Sequence, residues 1–69
     1  MNKLDARGLS CPEPVIMIRQ AMMSGEQEYQ MVVDNPVSKE NVTRYAEHQG
    51  YSVSVNKDGD EYTLTISKN

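Results

Sequence analysis

The sequence predicts a two-layer α/β sandwich of order βαβαββ, a mixed four-stranded sheet with two helices on one face. Three observations predict it. Two segments open on proline and close on glycine, Pro12/Pro14 to Gly25 and Pro36 to Gly50, as helices do. Runs rich in β-branched and aromatic residues flank them at 29–33, 51–56 and 62–66. An Asp58-Gly59 pair links the last two runs and predicts a hairpin. Two right-handed βαβ crossovers set strands 1, 2 and 3 parallel, and the hairpin turns strand 4 antiparallel.

Residues 2–6 form a short first strand with Leu4 inward, and Arg7-Gly8-Leu9-Ser10 leads into the first helix. Proline is tolerated in a first helical turn because those N–H groups have no intrahelical partner, so the helix runs from Pro12 to Met23 or Ser24. Val15, Ile18, Ala21 and Met22 fall on one face, with Cys11 toward the same side. Ile16, Met17 and Met23 lie off that stripe: either the helix is deeply buried or it keeps apolar surface for a partner. Core filling is the simpler role for Met17, Met22 and Met23.

Tyr29 to Val33 reads as the central strand. Asn35 can cap the second helix with Pro36 at its first position, or Ser38 can cap a later start. Val37, Val42, Tyr45 and Ala46 make its inward stripe, and Glu40, Arg44, Glu47 and His48 its solvated side. Tyr51/Val53/Val55 alternate with Ser52/Ser54/Asn56, and Tyr62, Leu64 and Ile66 share one face. Asp58-Gly59 is the tight pair of the intervening turn, 57–60.

The 69 residues fit one small domain, 1–69, whose core must form without Phe or Trp. One cysteine excludes an internal disulfide and dithiol exchange within the chain, and one histidine beside it is too few for a structural zinc site. A lone thiol with no export signal indicates a cytoplasmic protein, and no apolar run is long enough for a membrane. Net charge is −3 with the basic residues scattered, which disfavours nucleic acid as a partner.

The chemistry concentrates at Cys11. It sits at or just before a helix start, where peptide dipoles supply partial positive charge and favour the thiolate. Pro12 and Pro14 fix φ and remove two N–H donors from the first turn, leaving those near Cys11 and Glu13 for a sulfur anion. Gly8 frees the backbone for a tight approach to the thiol. Glu13 suits the helix dipole but opposes ionisation of a nearby thiol. Arg7 is either a compensating charge or a solvated loop arginine. His48 belongs at the far end of helix 2, away from Cys11. Both helices begin where parallel strands end, so the Cys11 and Asp34-Asn35 turns share one sheet edge. One activated thiolate can carry sulfur as a persulfide, or sense oxidants through a sulfenic acid.

Residues 4–15, Leu-Asp-Ala-Arg-Gly-Leu-Ser-Cys-Pro-Glu-Pro-Val, resemble the signature of the TusA/SirA/YedF family of small sulfur-carrier-like proteins, whose mark is Cys-Pro-x-Pro at the start of the first helix. The run 33–42 with Gln49-Gly50-Tyr51 is most similar to the YedF-type branch, associated with selenium metabolism and often followed by a DsrE-like domain. The resemblance implies a βαβαββ sandwich and a sulfur- or selenium-accepting Cys11, supported by Arg7, Gly8, Pro12, Glu13 and Pro14. It implies a donor such as a cysteine desulfurase, an acceptor protein, and neither a metal nor an organic cofactor. Such a carrier is a co-substrate of other enzymes rather than a stand-alone enzyme. The competing reading is a protein-interaction or regulatory module in which Cys11 is incidental or a redox sensor.

Overall fold

The computed structural model describes residues 2–10 and 12–68. Its elements are β1 (Asn2–Asp5), α1 (Glu13–Met22), β2 (Glu28–Val33), α2 (Pro36–His48), β3 (Tyr51–Asp58) and β4 (Glu61–Lys68), the expected βαβαββ order. The sheet runs β1-β2-β4-β3, so the last strand lies inside it, between β2 and β3. β1 pairs parallel with β2, and β4 pairs antiparallel with both neighbours. β3 therefore runs in the direction of β1 and β2, as expected, without pairing with either in the sheet.

Register decides what faces the helices. Leu4, Met31, Leu64 and Val55 form one row across all four strands, and Tyr29, Ile66 and Val53 continue the next. Tyr29, Met31, Val33, Leu64 and Ile66 are fully buried there, joined by Ile18 of α1 and by Val42 and Ala46 of α2. In β2 the alternation of burial is complete, as a strand covered on one side requires. Tyr29 and Tyr51 meet in a tilted ring pair, centroids 6.1 Å apart. The Tyr29 hydroxyl avoids stranding by accepting the Glu26 N–H at 3.0 Å.

Several details differ from the sequence reading. α1 starts at Glu13, with Pro12 outside it as the flanking residue. Its buried positions are Pro14 and Ile18, and Met17 packs against the core while Ile16 and Met23 stay exposed. In α2 Val42 and Ala46 are buried and Tyr45 packs against the core as expected, but Ser38 takes the inward place expected of Val37, which is 61% exposed. The cause is the cap. Asn35 adopts extended backbone (φ −152°) and its Oδ1 accepts the Ser38 N–H at 2.7 Å, which starts the helix at Pro36 and turns Ser38 inward. The hairpin also shifts by one residue. Asp58 still pairs with Glu61, so Gly59-Asp60 forms the loop. Gly59 has φ +62° and Asp60 does not have positive φ, which is the II′ arrangement.

Candidate functional site

The site region is the connector between β1 and α1 together with the turn between β2 and α2. Cys11 itself lies outside the described residues. The ladder continues one step past β1, because the Ala6 N–H donates to the Val32 carbonyl at 2.9 Å and Ala6 is fully buried. Beyond this anchor the chain turns outward. Gly8 has φ +78°, and a Cβ built there would meet nothing within 4 Å. Backbone dihedral, not crowding by described atoms, is what asks for glycine.

The two turns are tied directly. The Gly8 N–H donates to Asp34 Oδ2 at 2.8 Å, and Asn35 Nδ2 reaches Asp34 Oδ1 at 3.5 Å. One carboxylate thus fastens the connector that leads to Cys11 onto the start of α2. The predicted meeting of these turns at one sheet edge holds for their described residues.

Arg7 has a definite place. Its Nε and Nη2 donate to Asp5 Oδ1 and Oδ2 at 2.9 and 2.8 Å, and its Nη1 donates to Glu61 Oε2 at 3.1 Å. Its backbone N–H adds a further bond to Asp5 Oδ1 at 3.1 Å. The side-chain bonds from Arg7, then the backbone bond, pull the Asp5 carboxyl down from 3.8 to about 2. The same bonds raise the Arg7 guanidinium. Its positive charge is therefore committed to two carboxylates, one beside it in sequence and one at the start of β4. Arg7 bridges the connector to the centre of the sheet.

At the start of α1, the Glu13 N–H donates to the Ser10 carbonyl at 2.8 Å, tying the two sides of the cysteine position together. This corrects the expectation that the Glu13 N–H stays free for an anion. Pro12 and Pro14 have no N–H, so Val15 is the first-turn residue whose N–H is neither removed by proline nor taken by Ser10. Pro14 also has a packing role, because its ring is fully buried. Pro12 and Glu13 are exposed, Glu13 in the first turn where its charge suits the dipole. His48 ends α2 exposed at the opposite end, as expected. Asp34 and Glu61 were not singled out from sequence as site-supporting residues. The parallel topology points to Asp34, which follows the strand next to β1; no local pattern points to Glu61.

Three comparisons bear on this region. The family model for sulfurtransferase TusA matches residues 2–68. A protein of Methanocaldococcus jannaschii named as a sulfur carrier is 38% identical over 55 residues, which cover 77% of this chain and 73% of the relative. The crystal structure of a SirA-like protein from Desulfitobacterium hafniense superposes with a TM-score of 0.87 at 35% identity, covering 97% of this chain and 96% of that one.

Proposed function

Because the chain belongs to the TusA family, whose description and curated relative both point to sulfur carriage, we propose that it takes up sulfur on Cys11 as a persulfide and delivers it to a partner protein. The Cys11 thiolate attacks the outer sulfur of a donor cysteine persulfide. A new S–S bond forms at Cys11, the donor's S–S bond breaks, and the donor cysteine leaves as a thiolate. Delivery repeats the exchange, with Cys11 as leaving group and an acceptor thiolate as nucleophile. The proton follows the terminal sulfur, and no net oxidation occurs.

The observation that supports this reading most is the Cys11-Pro12-Glu13-Pro14 sequence at the start of α1. Ser10 and Glu13 tie the two sides of the cysteine position together, and the connector is held by Asp34. Hydrogen bonds that fasten the residues on either side of the cysteine favour exchange with two different partners, because the sulfur must be presented in one geometry to each. In this reading Gly8, Pro12 and Pro14 shape the presentation, Arg7 braces the connector through Asp5 and Glu61, and Glu13 contributes charge beside it. The donor is a cysteine desulfurase or an equivalent persulfide protein, the compartment is the cytoplasm, and the cargo is sulfur, with selenium handled by the same thiolate chemistry.

The test is intact mass after incubation with a cysteine desulfurase and cysteine, before and after reduction. A reducible gain of one sulfur atom, absent from Cys11→Ser, is the expected result. A parallel run with selenocysteine addresses the alternative cargo. No adduct on the wild type, with slow alkylation of Cys11 at neutral pH, would overturn the reading in favour of an interaction module.

A further inference from the structure

At the end of the sandwich remote from the connector, the C-terminal ends of α1 and α2, the start of β3 and the end of β4 enclose an open groove of about 290 Å³. Its apolar wall is Met22 and Met23 of α1, Tyr45 of α2 and Tyr51 of β3. Its charged rim is Arg19 and Lys68, and the remaining lining residue, Gln49, is neutral. No carboxylate of the described residues lines it. Among the described residues no ion pair engages either cation, although Arg7 and Arg44 are both paired. Lys68 Nζ lies 5.8 Å from the Tyr51 ring centroid, which holds the ammonium over the aromatic wall.

Helix C-termini carry partial negative charge, about −0.5 each, so two of them offset roughly half of the two cations. Several of the terminal carbonyls are already engaged: Gln20, Ala21 and Met22 accept from Met23, Ser24 and Gly25, and Ala46 accepts from Gln49. What remains is a net positive rim over an apolar floor of methionine and tyrosine, in a chain whose overall charge is −3. Thioether and phenol walls favour a flat aromatic body.

We propose that this groove binds a small aromatic anion, a carboxylate or sulfonate on one or two fused rings, with its charge between Arg19 and Lys68 and its rings against Met22, Tyr45 and Tyr51. The site is separate from Cys11, and the proposal stands whether or not Cys11 carries sulfur.

The probe is 2-naphthoate, titrated into the uniformly 15N-labelled chain and followed by amide shifts, with 2-naphthamide as its neutral counterpart. A ligand of this size in an open groove binds with a Kd on the order of 1 mM. The expected result is saturable shifts confined to the groove residues, with the amide binding at least about tenfold more weakly. Arg19→Gln and Lys68→Gln should each weaken 2-naphthoate about threefold to tenfold while leaving the spectrum of the free protein otherwise intact. Equal binding of the neutral amide, insensitivity to both substitutions, shifts centred elsewhere, or no saturable shift would each overturn the proposal.

Discussion

At Asp5, three N–H donors of one arginine converge on a single carboxylate, and the consequence is a titration that can be followed. A carboxyl whose pKa falls on folding stabilises the fold above its unfolded value, here 3.8. That contribution is lost as pH drops through the folded value of about 2. Arg7→Gln should move the Asp5 titration up from about 2 toward 3.8, with the remaining backbone bond holding it short of full recovery, as carboxyl 13C NMR would show. A midpoint that stays near 2 would mean that Arg7 is not the cause. Two neighbours at the start of α2 separate the roles of side chain and backbone. Asn35 supplies the cap, so Asn35→Ala should cost about 1 kcal/mol in urea unfolding. Ser38 Oγ is buried without a hydrogen-bond partner among the described residues, so Ser38→Ala should leave stability unchanged or raise it by up to about 1 kcal/mol. A loss from Ser38→Ala as large as that from Asn35→Ala would count against the observed capping arrangement.

Helix α1 turns phase into a measurable contrast. Ile18 is fully buried, whereas Ile16, two residues away, is 44% exposed. Ile18→Ala should cost about 2–5 kcal/mol and Ile16→Ala no more than about 0.5 kcal/mol in the same denaturation assay. Equal losses would mean that the helix is rotated from this placement. The ends of the elements were readable from sequence because proline and glycine act on backbone dihedrals directly. Pro36, Gly25 and Gly50 all sit where they were expected to punctuate the chain. Phase within α2 was harder. Val37 is apolar and Ser38 is not, yet Asn35 sets the start and turns the serine inward. In the hairpin, Asp58-Gly59 is the stronger sequence signal for a tight pair, but ladder pairing of Asp58 with Glu61 moves the loop one residue on. Around the connector, the two prolines announced a helix start, and α1 begins between them at Glu13. Nothing local announced the destination of Arg7, because its second carboxylate comes from a residue 54 positions away.

Across the whole molecule, strand order governs where stability resides. Alternating residues announced that β4 exists and which of its faces is buried, but nothing local in Thr63 to Ser67 says that it lies between β2 and β3. With both edges paired, β2 and β4 should hold the slowest-exchanging amides in native-state hydrogen exchange, while β1 and the outer edge of β3 exchange faster. Comparable protection at the outer edge of β3 would indicate that another strand covers it. The position of β4 also bears on how the molecule is made. A ribosome releases β1, α1, β2, α2 and β3 before it, and until residues 61–68 emerge β2 and β3 have no strand to join them. The four-stranded sheet therefore cannot be completed before β4 has left the exit tunnel, and β3 takes its place in it only then.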